Sequence, residues 1–243
     1  GGIPSPELMD PAARYFGDAK AACFVATPTL QMTERHFATH IETARIVRNP
    51  VNIHDDVPLP LGFPQGRESH VQMACVSRLN FYTKGHDYLL EALADPEIKA
   101  LSWTLNVFGD GEHRTLLNRL VKHFDLEGRV VLHGHSESID KIWKQNHLHV
   151  MPSITESAPI ALVEAMVCGR PSVVTNVGGV CEWITEGETG YIAENANTLH
   201  LKPALSRAFE DVSRWEEIGR NAANHSSDLL GSPVDDFLKI ILE

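Results

Sequence analysis

From Val71 onward the chain alternates between two kinds of apolar pattern. Short, mostly apolar segments at residues 71–76, 103–108, 129–132, 148–151 and 172–174 read as strands. Between and after them, residues 85–93, 112–124, 138–144, 180–186, 199–209, 213–224 and 234–242 read as helices. In the first of these Tyr88, Leu89 and Leu93 share one face. Strands alternating with helices of this length predict an α/β fold with a parallel, doubly wound, Rossmann-like sheet. Ahead of Val71 the pattern thins. Residues 1–20 open on turn formers and show little periodicity, 22–26 and 44–47 read as short strands, and 33–42 as a helix. Residues 48–66, rich in proline and glycine, predict an irregular connector.

One stretch stands apart, residues 155–169, T-E-S-A-P-I-A-L-V-E-A-M-V-C-G. From Pro159 to Cys168 every residue but one is apolar, as in a helix buried on all sides. Ser157 is predicted as its N-cap, Pro159 suits its first turn, and Gly169 stands where a glycine ends a helix. Glu164 is the exception. A buried charge needs a partner, either a protein cation such as Arg170 or the hydroxyl groups of a ligand. A second carboxylate, Glu156, precedes the helix, as a loop acid that shapes its start or as part of a site. Helix-start amides carry the positive end of the dipole and suit phosphate. Ser157, Ala158 and Ile160 are the candidates, since Pro159 has no N–H to offer.

Ligands of doubly wound sheets bind outside the carboxyl ends of the strands. Arg78, Gly109-Asp110-Gly111, His133-Gly134, residues 153–156 and Gly178-Gly179 all follow predicted strands, so topology predicts that they converge on one edge. Arg78 and Lys84 are either solvated surface charges or a pair that neutralises a diphosphate, arginine bidentately and lysine as a point charge.

Charge and composition narrow the function. The 243 residues are 43% hydrophobic with a formal charge of −11, enough chain for a real core and the wrong sign for a nucleic-acid binder. No apolar run approaches the ~20 residues of a membrane span and no secretory signal opens the chain. Cys23, Cys75, Cys168 and Cys181 form no C-x-x-C pair and read as small buried residues of a reducing, cytoplasmic compartment. Among the 13 histidines, His133-x-His135 and His147-x-His149 would share a strand face, but no carboxylate or cysteine completes a ligand set, and no metal is expected. No G-x-S-x-G elbow signals a serine hydrolase.

The residues already quoted carry a resemblance. E-S-A-P-I-A-L-V-E-A-M, with Glu156 and Glu164 eight positions apart, resembles the E-x7-E signature of family 4 glycosyltransferases, retaining enzymes of the GT-B fold. The continuation G-R-P-S-V-V-T-N-V-G-G and the upstream S-R-L and K-G, with Arg78 and Lys84, are similar to the same family's other segments and stand in its order. The resemblance covers residues 48–224 and is strongest over 76–190. It implies that Glu164 accepts the ribose hydroxyls of a nucleoside diphosphate sugar and that Glu156 lies near the donor sugar. It further implies that Arg78, Lys84 and the helix amides meet the departing diphosphate. Gly109, Gly111, Gly178 and Gly179 would lie near the donor, and the backbone at His133 and Gly134 near the base; ordinary loops and turns would also account for these glycines.

The implied chain is the C-terminal half of a GT-B enzyme, with residues 1–53 a remnant of the N-terminal acceptor domain plus connector and residues 54–243 the donor-binding domain. The implied reaction moves a sugar from the nucleotide to an acceptor glycan, lipid-linked sugar or small molecule, with no cofactor and no metal. The family's acceptor site, glycine-rich loop and histidine belong to a domain that nothing before Arg48 is long enough to supply. The expectation is therefore that this chain binds nucleotide weakly and transfers little sugar unless an N-terminal domain or partner chain completes it. A peripheral membrane contact fits such an enzyme. The competing readings are a non-catalytic nucleotide-binding module completed by a partner, and another GT-B enzyme such as a sugar-nucleotide epimerase.

Overall fold

A computed structural model describes residues 5–53 and 57–242. The first four residues and the connector residues at 54–56 lie outside the described residues. The chain divides into two compact units, one of residues Val51–Leu229, the other of the chain up to Pro50 together with the chain from Leu230 on.

In the smaller unit, helix α1 (Pro6–Asp18) precedes strand β1 (Ala22–Phe24), helix α2 (Thr27–Phe37) and strand β2 (Ala44–Ile46), and β1 pairs with β2 in parallel. Phe16 packs its ring against those of Phe24 and Phe37. The helix α1 was not expected from its turn formers: Pro6 suits a first turn, and Pro11 inside the helix removes one intrahelical bond without ending it. The second helix runs earlier than the pattern implied. It stops where Ala38 takes a left-handed conformation (φ 48°), and the Glu34 side chain then accepts the Ile41 N–H.

The larger unit carries the doubly wound sheet. Its strands are β3 (Val71–Val76), β4 (Trp103–Phe108), β5 (Val130–Gly134), β6 (Leu148–Met151), β7 (Ser172–Thr175) and β8 (Tyr191–Ala193), all parallel, in the order β5-β4-β3-β6-β7-β8. The chain winds outward from β3 to β5, then returns to place β6 beside β3 and winds the other way. With right-handed crossovers the two directions put helices on opposite faces. Helix α3 (Phe81–Lys84) is a single turn, followed by α4 (His86–Leu93) and the one-turn α5 (Pro96–Lys99). Helix α6 (Arg114–His123) and α9 (Thr198–Glu210) pack with α4 on one face, while α7 (Ile139–Gln145) lies on β3 and α8 (Ile160–Val167) on β6 and β7. β6 and β7 are buried along their whole length, and their polar residues are paired inside the fold, His149 with Ser172 Oγ and Thr175 with the Ser153 carbonyl. Two further helices close the chain, α10 (Trp215–Leu230) and α11 (Pro233–Leu242). None of the described helices is long and apolar enough to cross a membrane.

Local corrections follow from hydrogen bonding. Strand β8 was not foreseen, and the helix expected at 180–186 is a single 3-10 turn, Val180–Glu182. The Thr185 carbonyl and amide are committed to the turn that follows, with Glu188 and Thr189 donating to the one and Thr189 Oγ1 accepting from the other. Cys75 and Cys168 are buried as expected, but Cys23 and Cys181 are exposed.

Candidate functional site

The strand order puts the switch of winding direction between β3 and β6, and the loops leaving these two strands are laced together. The Ile154 and Thr155 amides donate to the Thr83 carbonyl at 2.9 and 3.3 Å. Gly85 sits in the left-handed region (φ 58°), and a Cβ there would stand 2.2 Å from the Pro152 carbonyl oxygen, so the two loops approach to backbone contact.

The β3 loop is folded over a buried aromatic, Phe81, whose ring lies 5.1 Å from that of His113 and 5.8 Å from that of His86. His113 Nδ1 accepts the Phe81 N–H, Asn80 Oδ1 caps the turn at Thr83, and His86 Nε2 bonds Ser77 Oγ at 3.0 Å. Burial first, then Lys84 and His113, push His86 down to about 4, so it stays neutral beneath the loop. Lys84, at the end of α3, pairs its Nζ with Glu156 Oε1, which also accepts from Ser153 Oγ at 2.8 Å.

Two predictions about α8 separate here. The helix ends as expected: Gly169 is left-handed (φ 76°), its N–H reaches the Met166 carbonyl and the Arg170 N–H reaches that of Ala165. The start differs. Pro159, not Ser157, is the N-cap and Ile160 the first helical residue, because a proline pushes the residue before it out of the helical region. Ser157, Ala158 and Ile160 donate their amides to no group among the described residues, which leaves these N–H groups open beside Glu156. Gly178 and Gly179 close on the same corner. A Cβ on Gly178 (φ 57°) would lie 2.1 Å from the Glu156 carbonyl oxygen, and the Gly179 N–H donates to the Ser157 carbonyl at 3.2 Å.

Glu164, 2% exposed, does not pair with Arg170. That guanidinium is itself fully buried and donates to the carbonyls of Trp143, Gly169 and Gly62. Instead Glu164 Oε1 accepts two bonds from Asn52, from its backbone N at 3.1 Å and its Nδ2 at 2.9 Å. Burial pushes the Glu164 carboxyl up, and the Asn52 bonds partly counter it.

The remaining candidates fall elsewhere on the edge. Arg78 is exposed and lines a cavity of about 430 Å³ with Gly109, Asp110, His135 and Ser136, over the ends of β3 to β5 rather than at the Lys84–Glu156 corner. Gly109 (φ 124°) and Gly111 are explained by the chain itself: their added Cβ atoms would lie 2.0 Å from the Ser77 carbonyl oxygen and 2.5 Å from that of Leu79. His133 stacks on Phe108 at 4.5 Å and bonds Asn106 Oδ1 at 2.9 Å, and Gly134 (φ 79°) accepts the Gly109 N–H at 2.7 Å. No group of three histidine, cysteine or acidic residues stands together as a metal site among the described residues. His147 bonds the Gln72 amide and the Gln65 carbonyl, and His149 bonds Ser172 Oγ, so both serve the fold. Sequence spacing gave no sign of Asn52, which lies 112 residues from Glu164. Ser153 could have been found as the hydroxyl three residues before Glu156.

Known proteins share this architecture. A variant of S. aureus TarM, solved with fondaparinux, alpha-GlcNAc-glycerol and UDP, superposes with a TM-score of 0.80 at 18% identity, covering 98% of this chain and 47% of TarM. It and the other structural neighbours are GT-B glycosyltransferases, so the sheet is a GT-B half. An uncharacterized glycosyltransferase of Methanocaldococcus jannaschii is 30% identical over 262 residues, which takes in all of this chain and 66% of that protein. The N-acetyl-alpha-D-glucosaminyl L-malate synthase of Bacillus anthracis is 32% identical over 118 residues, 49% of this chain and 31% of the synthase. The chain thus matches about a third of the length of that synthase. The profile of the family described as "Glycosyl transferases group 1" matches residues 64–225, the whole of the doubly wound sheet, and the chain belongs to that family.

Proposed function

We propose that residues from Val51 to Leu229 form the donor-binding half of a retaining, family 4 glycosyltransferase that takes a sugar from a nucleoside diphosphate in the cytoplasm. The observation that carries the reading is the corner at the β3–β6 switch point. There a lysine, a carboxylate, three open amides and a glycine pair meet where doubly wound sheets bind their ligands. The amides of Ser157, Ala158 and Ile160 cradle the diphosphate, and Lys84 turns from Glu156 toward its charge as the bond to the sugar breaks. Freed of Lys84, Glu156 and its partner Ser153 face the sugar hydroxyls. Arg78 approaches from the neighbouring cavity, where the nucleoside lies against Gly109 and the backbone of His133 and Gly134, and Glu164 takes the ribose. The acceptor attacks on the face the diphosphate leaves, and holding the two together falls to an N-terminal domain or partner chain.

Calorimetric titration with UDP, GDP and ADP tests the site. One nucleotide is expected to bind, with affinity lowered at least tenfold in Lys84→Ala and Glu164→Ala, since hydrogen bonds to charged groups contribute roughly 1.5–3 kcal/mol. Nucleotide binding at wild-type affinity by both variants would remove the site.

A further inference from the structure

Glu164 is held in an unusual way for a buried acid. Its only partner among the described residues is an amide, not a cation. A carboxylate offers about four acceptor positions, two on each oxygen. Asn52 fills both on Oε1, one with its backbone N–H and one with Nδ2. Oε2 receives no hydrogen bond from the described residues, so two acceptor positions remain, the number that a pair of neighbouring hydroxyls can fill. Because the donor is neutral, the negative charge stays uncompensated, and a hydroxyl bonded to an ionised oxygen is held more strongly than one bonded to a neutral group. Arg170, the cation the sequence offered as its partner, is spent on three carbonyls.

We infer that Asn52 is a positioning residue for nucleotide selection: by fixing Oε1 it presents Oε2 to the 2′ and 3′ hydroxyls of a ribose, so the site discriminates ribonucleotides from deoxyribonucleotides. The inference rests on the donor-binding reading of Glu164. It also gives the irregular connector a task. Its backbone amide at Asn52 is one of the two donors, so the segment is anchored on α8 by the acid that meets the ligand.

The test uses the whole chain and the diphosphate that binds best among UDP, GDP and ADP, together with its 2′-deoxy form. The wild-type protein is expected to prefer the ribose form by about tenfold, the worth of one hydrogen bond to a charged group. Glu164→Ala abolishes that preference. Asn52→Ala, which keeps the backbone donor, and Asn52→Asp, which turns a donor into a repelling acid, remove most of it while 2′-deoxy binding stays near wild type. Asn52→Ser, whose hydroxyl can still donate, recovers part of it. Wild-type preference in Asn52→Ala and Asn52→Asp would overturn the inference. So would equal loss of ribose and deoxyribose binding in the two variants, the mark of a merely structural residue. If Glu164→Ala keeps the preference, the ribose role of Glu164 falls whatever Asn52 does. If no diphosphate binds, the donor reading fails and takes this inference with it.

Discussion

Gly178 shows how a fold contact becomes a site contact. Its φ of 57° is left-handed, and an alanine Cβ there would stand 2.1 Å from the Glu156 carbonyl oxygen and 2.7 Å from its carbon. An ordinary contact begins at 3.4 Å, so the Glu156 backbone would have to retreat from 2.1 to 3.4 Å, about 1.3 Å. Gly187 supplies the control: its φ is 72°, with nothing within 4 Å of an added Cβ. Gly187→Ala therefore meets only the left-handed penalty, about 1–2 kcal/mol. Gly178→Ala adds the cost of overpacking, typically another 1–3 kcal/mol, for a total of about 2–5 kcal/mol. The retreat also displaces the carboxylate that Lys84 and Ser153 hold, and it carries the Ser157 carbonyl away from Gly179. Urea unfolding measures the first effect and nucleotide calorimetry the second. Expected are a midpoint lowered further in Gly178→Ala than in Gly187→Ala, and nucleotide affinity reduced at least tenfold in Gly178→Ala alone, as for a misplaced charge-assisted contact. Equal stability of the two variants with wild-type nucleotide affinity in both would refute the reasoning.

Other consequences can be checked with the same assays. Glu164 has a raised pKa, so burying its charge costs stability as pH rises through the folded value, and the penalty is absent below the ordinary 4.5. Glu164→Gln should accordingly be more stable than wild type at pH 7, with the gap closing toward pH 4, while nucleotide affinity falls about tenfold; a variant less stable at pH 7 would contradict this. Burial pushes His149 down to about 3 and His86 to about 4, so both stabilise the neutral-pH fold. That contribution is present above about 6.5 and is lost as pH falls through the folded values, and His149→Gln should flatten the decline measured by urea midpoints between pH 6.5 and 4. Gly109→Ala, whose Cβ would lie 2.0 Å from the Ser77 carbonyl oxygen, should cost about 2–5 kcal/mol by the same steric reasoning as Gly178, and a loss below about 1 kcal/mol would count against the packing described.

Periodicity determined much of this protein. The runs at 71–76, 103–108 and 148–151 became β3, β4 and β6 to the residue, because most of their positions are apolar and buried, while the polar ones are tied by hydrogen bonds, Asn106 to Gln72 and His149 to Ser172. Gly169 ended α8 as written, since only glycine takes that backbone angle freely. The placing of Arg78, Lys84, Glu156 and Gly178 at strand ends was also legible, for in a parallel sheet every such loop leaves by the same edge. What local pattern could not supply was the order of the strands. That order joined the β3 and β6 loops and gave Lys84 to Glu156. It placed Arg78 in a separate cavity with Asp110 and His135, and it set the Glu156 carbonyl against Gly178. The partner of Glu164 was beyond reach for the same reason. A local pattern records which face of an element meets the core, whereas Asn52 and Glu164, 112 residues apart, meet only once the connector has been laid across α8. Sequence set the parts and the edge on which they would stand; the long-range packing decided which of them touch.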